Sequence, residues 1–188
     1  MNDFKQELGR KAFHFLSSVI PAAYFILTRS EMTRYVAMAL TISLTVDLGR
    51  FYVPRLRRVF EHLFGRWLRP FEFYQLTGAT YFLIGSLLTV ILVPDRLIVI
   101  SSLLFLAWGD LSAALIGKKW GRIAVFDKTL EGSLACFFVC FIVSLFLTDW
   151  RVGLIGAIVA TLVEVLPLRI NDNVTIPISS ALVMAALS

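Results

Sequence analysis

Long apolar stretches separated by short polar segments make up most of this chain. Seven of these stretches approach the length that a helix needs to cross about 30 Å of hydrocarbon. They lie at roughly residues 12–28, 33–52, 76–93, 96–117, 132–148, 152–168 and 174–188. Because the predicted spans use nearly all of the chain, we expect a single integral membrane domain over residues 1–188. The predicted fold is an all-α polytopic bundle whose chemistry uses short loops and helix ends.

The second loop departs from this pattern and predicts an amphipathic helix lying in the headgroup layer. Between Arg50 and Phe73, Pro54 can begin a helix and Pro70 can end it. Such a helix is attracted to anionic lipid, and it could also gate the entry of a lipid substrate. Its apolar stripe repeats with a period of 3.6 and comprises Leu56, Val59, Phe60, Leu63 and Trp67, surrounded by Arg55, Arg57, Arg58, Arg66 and Arg69.

Composition and charge agree with a membrane protein. Of the 188 residues 58% are hydrophobic and 16% charged, and the mean hydropathy is +0.80, so the chain is too apolar for an ordinary soluble domain. Fourteen of its 18 Lys and Arg residues fall in the N-terminus and alternate loops. The positive-inside rule then places the N-terminus in the cytoplasm and the C-terminus outside. The net charge of +5 reflects this topology first, and nothing indicates nucleic-acid binding.

Two pairs of residues within the spans have local explanations. Cys136 and Cys140 share one face of the fifth span, with no His or further Cys nearby to complete a metal site. We expect them to pack as small residues between helices. Asp47 and Arg50 close the second span at i and i+3, where a local ion pair would lower the cost of burial.

The chemistry is expected in the segment from Gly109 to Ser133. A carboxylate within an apolar helix costs roughly 2.5 kcal/mol or more, so Asp110 must face protein, water or a metal. A short basic loop with glycines follows, and such a loop can hold phosphate oxygens. It contains Lys118, Lys119, Gly121 and Arg122, but no Gly-Lys-Ser/Thr of a Walker A loop.

Further charged residues are predicted at the same face of the membrane. Lys128, Glu131 and Ser133 begin the fifth span, where helix N-terminal amides favour anions. Carboxylates and cations together are what phosphoryl transfer requires. Glu7, Arg10, Lys11 and His14 share one helix face, which either lines this polar site or anchors the N-terminus at the interface. The other acids at this face are Asp47, Glu164 and Asp172.

Four motifs occur in order over most of the chain. They are Glu7-x-x-Arg10-Lys11-x-x-His14, Gly109-Asp110-x-x-Ala113-x-x-x-Gly117-Lys118, Lys128-x-x-Glu131-Gly132-Ser133, and Glu164 followed by Asp172-Asn173-x-x-x-Pro177. Their combination resembles the CTP-dependent lipid-alcohol kinase family, which includes dolichol kinase, phytol kinase and yeast-type diacylglycerol kinase. The resemblance implies transfer of the γ-phosphate of CTP to the hydroxyl of a long-chain lipid alcohol, with a divalent cation, at the cytoplasmic face.

The resemblance also implies site residues, to which we add our own assignment of roles. Lys118, Lys128, Glu131, Gly132 and Ser133 match the region held to bind CTP, and Asp110 matches the acid of the Gly-Asp motif. We assign catalysis to Asp110, Glu131 and Glu164, and a Mg²⁺ or Ca²⁺ ion to Asp110, Asp172 and Glu131. The residues assigned to CTP are Lys118, Lys119, Gly121, Arg122, Lys128, Gly132, Ser133, Asn173, Arg10, Lys11 and His14.

Two other functions stay open at this point. A phosphatidate cytidylyltransferase also uses CTP, although the long Lys-Arg and Lys-Asp signature of that class is absent. A non-enzymatic lipid-binding or transport protein would use intramembrane acids for packing or proton coupling, although no inverted repeat indicates transport. The acceptor could be dolichol or a shorter polyprenol, phytol or diacylglycerol. Small-residue helix faces would permit homo-oligomers.

Overall fold

The computed structural model of the protein describes residues 17–68, 70–168 and 170–188, and it is mostly helical. Arg10, Lys11 and His14 therefore lie outside the described residues, as does Arg69 of the second loop. The helices are α1 (Val19–Tyr24), α2 (Arg29–Tyr52), α3 (Pro54–Phe64), α4 (Gly78–Leu92), α5 (Arg96–Leu104), α6 (Asp110–Trp120), α7 (Leu130–Leu145), α8 (Trp150–Val165) and α9 (Asp172–Leu187). The other elements are a 3₁₀ turn (Pro70–Phe73), a π-helical turn (Phe105–Gly109) and an antiparallel hairpin of β1 (Ala124–Val125) and β2 (Lys128–Thr129).

The axis of helix α3 turns by 117° from that of α2. Pro54 occupies the first turn of α3, as the sequence predicts, but the helix ends at Phe64 rather than continuing to Pro70. The exposed side chains of Val59 and Leu63 lie on its apolar stripe. The amphipathic helix is thus present but shorter than predicted, and its sharp bend would place it along a surface if α2 crosses a membrane.

Helices α5 and α6 and the π-helical turn between them form one continuous helix of 25 residues, Arg96–Trp120. It is the one straight helix, among the described residues, that is long and apolar enough to cross a membrane, and the bent α2–α3 pair is a second candidate. Helices α4, α7, α8 and α9 have 15 or 16 residues each. The seven spans therefore stay a prediction.

The core surrounds the long helix. Six consecutive residues of α5, 98–103, are buried, as expected of a helix that has neighbours on all sides. Close approach at the π-helical turn depends on Gly109, because an added Cβ there would lie 2.6 Å from Sγ of Cys140 and 3.1 Å from Sγ of Cys136. Both cysteines are buried and free, so they pack between helices as the spacing predicts.

Candidate active site

The β-hairpin carries Lys128 to the start of α7. Val125 pairs with Lys128 across a two-residue turn whose first residue, Phe126, has a φ of 52°. Thr129 then caps α7, since its hydroxyl accepts a hydrogen bond from the amide of Gly132 at 3.2 Å. Lys128 therefore stands immediately before a helix N-terminus, and its backbone is held by both the hairpin and the cap.

Lys128 joins two carboxylates that are distant in the sequence. Its ammonium nitrogen lies 2.7 Å from Oε1 of Glu164 and 3.3 Å from Oδ2 of Asp172. The same nitrogen donates a hydrogen bond to the backbone carbonyl of Glu164. The Glu164 side chain is 3% exposed, whereas those of Lys128 and Asp172 are 31% and 38% exposed. The cluster thus has a buried end at Glu164 and a side open to incoming ligands.

Three helix ends meet at this cluster. Lys128 precedes α7, Glu164 lies in the last turn of α8, and Asp172 is the first residue of α9, which Asn171 caps. A cation beside the C-terminal carbonyls of α8 and an acid in the first turn of α9 both complement the helix dipoles. The N-termini of α7 and α9 also carry the positive ends of their helix dipoles, which favours an anion nearby.

Asp110 lies close enough to contribute charge to this cluster. It is the first residue of α6, directly after the π-helical turn, and π turns inside helices occur frequently at functional sites. Burial of Lys128 acts to lower its pKa, but the hydrogen bond and charge of Glu164 and the charges of Asp172 and Asp110 outweigh burial. The pKa of Lys128 is raised as a result, so the side chain carries a full positive charge at neutral pH.

One carboxylate oxygen of the cluster has no partner among the described residues. Oε2 of Glu164 is buried and makes no hydrogen bond, whereas Oε1 is paired with Lys128. A buried oxygen without a partner is costly and calls for a proton, a ligand or an ion. Carboxylate oxygens are the donors that Mg²⁺ and Ca²⁺ prefer, so the chemistry of Asp110, Glu164 and Asp172 fits a divalent cation. Within the described ranges, however, no three acidic, His or Cys side chains are already arranged around one point.

The structure directs Glu131 away from this cluster. Its Oε1 accepts a hydrogen bond from the amide of Arg122 at 3.0 Å, and both carboxylate oxygens lie 3.3 Å from the amide of Ile123. Its own backbone amide, together with those of Arg122 and Ile123, lowers the pKa of Glu131. The carboxylate therefore holds the loop before β1, and the assignment of Glu131 to a metal shared with Asp110 and Asp172 gains no support from this geometry.

Several residues predicted to bind CTP also have structural roles. Gly132 allows α7 to approach α6, because a Cβ there would lie 2.6 Å from the carbonyl oxygen of Ala113. Ser133 is buried, and its hydroxyl donates to the carbonyl of Thr129 at 3.2 Å. An added Cβ at Gly121 would lie 2.6 Å from the Thr129 methyl group, so this glycine also allows a close approach.

The remaining predicted ligands divide between the surface and the core. Lys118 and Lys119 are exposed at the end of α6, and Lys119 lies 4.4 Å from the ring centre of Trp120. Arg122 is likewise exposed. Asn173 is buried and donates to the carbonyl of Gly78 at 3.0 Å, so it faces α4 rather than Lys128. Exposed cations at this end can still reach a nucleotide from the loop side.

A buried polar network at the end of α2 was not predicted from the sequence to be related to the Lys128 site. Asp47 and Arg50 form the predicted ion pair, but they also bind the segment 72–80, which includes Thr77 and Thr80. The i, i+3 spacing of these two threonines at the start of α4 was the available signal. It is a weak signal, because hydroxyl side chains are also ordinary helix caps.

Comparison with known proteins agrees with the chemistry of the site. An uncharacterised protein of Rickettsia prowazekii is 33% identical over 192 residues, covering 96% of this chain and 94% of its own. The CTP-dependent diacylglycerol kinase 1 of Schizosaccharomyces pombe is 26% identical, covering 94% of this chain and 91% of its own. Phytol kinase of Synechocystis is 33% identical over 94 residues, or 43% of this chain and 40% of its own. No protein-family model and no solved structure matches the chain.

The helical fold, the cluster of Lys128 with Glu164 and Asp172, and the kinases among its relatives together make this protein a lipid kinase. More specifically, the chain belongs to the CTP-dependent lipid kinase family. The relatives therefore support an enzyme and favour it over the non-enzymatic alternative.

Proposed function

We propose that this protein transfers the γ-phosphate of CTP to the hydroxyl of a membrane lipid alcohol at the cluster of Lys128, Glu164, Asp172 and Asp110. The observation that carries the proposal is the meeting of Lys128, Glu164 and Asp172 at three helix ends, close enough to Asp110 for its charge to act on Lys128. The diacylglycerol and phytol kinases among its relatives support CTP as the donor and a lipid hydroxyl as the acceptor.

In this proposal Lys128 exchanges its carboxylate partners for phosphate oxygens when CTP binds. The backbone amides at the start of α7 add to the attraction for the anion. Lys118, Lys119 and Arg122 approach the phosphates from the loop side. Phosphoryl transfer depends mainly on such positioning and charge stabilisation, since little covalent work is left to the protein.

Glu164 is the group that would orient the acceptor. Once Lys128 turns to the phosphates, the buried carboxylate can accept a hydrogen bond from the lipid hydroxyl. The acceptor oxygen then forms a bond to the γ-phosphorus, the bond from that phosphorus to the β-γ bridging oxygen breaks, and CDP leaves. The hydroxyl proton passes to the Glu164 carboxylate.

Asp110 and Asp172 are the residues that would hold a divalent cation, Mg²⁺ or Ca²⁺. When bound, such an ion supplies positive charge to the phosphate oxygens. Asp172 lies at the start of α9 on the exposed side of the cluster, and Asp110 lies inside the 25-residue helix, directly after its π-helical turn. The role of Glu131 in this proposal is to hold the hairpin that carries Lys128.

Transfer of the labelled phosphate tests the proposal directly. Purified protein is incubated with Mg²⁺, diacylglycerol, phytol, polyprenols and phosphatidate, together with CTP labelled at either the γ- or the α-phosphate. We expect label from the γ position to enter a lipid alcohol, whose identity the product reveals. Incorporation from the α position into lipid would instead make the protein a phosphatidate cytidylyltransferase and would refute the kinase proposal.

We further propose that the enzyme is a polytopic membrane protein of seven spans, with its N-terminus and active site facing the cytoplasm. The basic residues of α3 and of the loop containing Lys118 support this orientation through the positive-inside rule. The exposed apolar stripe of α3 supports contact with the headgroup layer, where anionic lipids would be its partners. The oligomeric state follows from none of these features.

Anionic lipid should protect α3 from proteolysis. In protein reconstituted into vesicles, we expect trypsin to cut after Arg57 and Arg58 more slowly when phosphatidylserine replaces part of the phosphatidylcholine. Each arginine near an anionic surface contributes about 1 kcal/mol of attraction. Salt weakens this attraction by screening the charges. The double variant Arg55→Gln/Arg58→Gln should lose most of the protection at Arg57. Equal cutting rates in both lipids would show that α3 does not rest on the anionic surface.

A further inference from the structure

A second buried charged pair lies at the end of α2, outside the Lys128 cluster. Nε of Arg50 lies 3.0 Å from Oδ1 of Asp47, and the two residues are 3% and 1% exposed. This contact is an ion pair rather than an aligned hydrogen bond, because Nε has no hydrogen-bond partner among the described residues. Buried ion pairs contribute little net stability compared with apolar packing, so stability alone does not account for the pair.

Asp47 holds the start of α4. Its Oδ2 accepts hydrogen bonds from the amide of Thr77 at 2.8 Å, the hydroxyl of Thr77 at 2.9 Å and the hydroxyl of Thr80 at 2.6 Å. The carboxylate of α2 thus binds Thr77, the residue that caps α4, 30 residues further along the chain. Three charge-assisted bonds to one oxygen leave the first turn of α4 little freedom to move.

Arg50 holds the segment that leads into α4. One of its terminal nitrogens donates to the carbonyls of Glu72 at 2.7 Å and Gln75 at 2.6 Å. Glu72 is itself buried, and its carboxylate accepts from the amide of Gly78 at 2.7 Å. The whole segment 72–78 is therefore attached to α2 through side chains that water does not reach.

The same segment contacts the start of α9. The carbonyl of Gly78 accepts the hydrogen bond from the side-chain amide of Asn173, and a Cβ added to Gly85 would lie 3.0 Å from Cα of Val174. The residue before Asn173 is Asp172, which pairs with Lys128. A shift of the first turn of α4 would therefore also displace Asp172 at the start of α9.

We infer that Asp47 and Arg50 are positioning residues for phosphoryl transfer: they fix the segment 72–78, against which Asn173 sets the first turn of α9 and the carboxylate of Asp172 opposite Lys128. This inference rests on the proposed function of the Lys128 cluster. Neither residue touches that cluster, so both act through the hydrogen bond from Asn173 to Gly78.

Asp47→Asn is the first test, with Asp95→Asn as its matched control. Asp95 also binds backbone amides at a helix start, those of Leu97 and Ile98, but it lies 15 residues before Asp110 along the same helix, or about 22 Å away. We expect kcat to fall by about ten- to a hundred-fold in Asp47→Asn, since displacements of about 1 Å have such effects. The KM for CTP should change much less, and Asp95→Asn should keep wild-type kcat.

A readout without substrate accompanies the kinetics. Amine-reactive labelling of Lys128, followed by mass spectrometry, reports whether the ammonium group is still held by its carboxylates. We expect faster labelling in Asp47→Asn than in wild type or Asp95→Asn. If the wild type transfers no phosphate, the proposed function fails, but the labelling comparison still tests whether Asp47 positions the partners of Lys128.

The path through Asn173 is tested by a double-mutant cycle. If Asp47→Asn and Asn173→Ala act through the same segment, their effects on kcat are not additive. Should Asp47→Asn fail to fold, Thr80→Val removes one bond to Asp47 without changing charge, and Thr80→Ser restores the hydroxyl. Wild-type kcat and labelling in the folded variants, additive effects in the cycle, or no difference between Thr80→Val and Thr80→Ser would overturn the inference.

Discussion

Asp110→Asn is expected to reduce turnover by about 10²- to 10³-fold, the cost typical of losing one preorganised charge-stabilising group. The carboxylate begins α6 directly after the π-helical turn, and its charge acts on both Lys128 and Glu164. The amide has nearly the same shape but no charge, so in the proposed role it would hold a cation at the phosphates more weakly. The measurement is the rate of γ-phosphate transfer at saturating CTP, over a series of Mg²⁺ concentrations.

Two controls separate charge from folding in this experiment. Asp110→Glu keeps the charge and should retain measurable activity, whereas Asp149→Asn removes the charge of an exposed capping residue at the start of α8 and should leave turnover unchanged. The thermal midpoint of Asp110→Asn in detergent should stay near that of wild type, because Asp110 is only partly buried. Full activity in Asp110→Asn would remove this residue from the proposed mechanism.

Lys128→Met is expected to impair both nucleotide binding and stability. The KM for CTP should rise because the phosphates lose their closest cation, and kcat/KM should fall by about a hundred-fold. Stability should fall by about 3–5 kcal/mol, since the change leaves the carboxylate of Glu164 buried without its partner. Chemical unfolding in detergent and CTP titrations measure the two effects separately.

The double variant Lys128→Met/Glu164→Gln distinguishes the two roles of Lys128. Removing the charge of Glu164 should restore most of the lost stability, because no unpaired buried carboxylate is left, yet activity should not return. Arg151→Met is the matched control, since Arg151 is an exposed cation at the opposite end of the same helix as Glu164. Recovery of activity in the double variant would mean that Lys128 serves only to neutralise Glu164, and that the Glu164 carboxylate does not accept the proton of the lipid hydroxyl.

The helical organisation followed largely from local patterns. Apolar runs predict buried helices wherever they occur, and Pro54 predicts the start of α3 because proline is suited to the first helical turn. The packing of Cys136 and Cys140 followed from their i, i+4 spacing on one face. The end of α3 was less predictable, because the helix stops at Gly65 and not at the proline five residues later.

The chemical class was also accessible from the sequence, through motifs in matching order and through acids and bases gathered at one predicted membrane face. Those patterns could not say which of the charged residues meet. Glu131 is the clearest case: its spacing from Lys128 suggested a shared site, but its carboxylate turns back to the amides of Arg122 and Ile123.

What the sequence alone determined is therefore a helical lipid kinase with its charged residues at helix ends. The tertiary structure decided that Lys128 pairs with Glu164 and Asp172, 36 and 44 residues further along the chain, and that Asp47 binds Thr77 and Thr80 at the start of α4. The physical reason is that helix periodicity sets which face a residue occupies, whereas the partner on that face depends on how whole helices pack. Such packing is a property of the entire bundle and is not encoded in any local pattern.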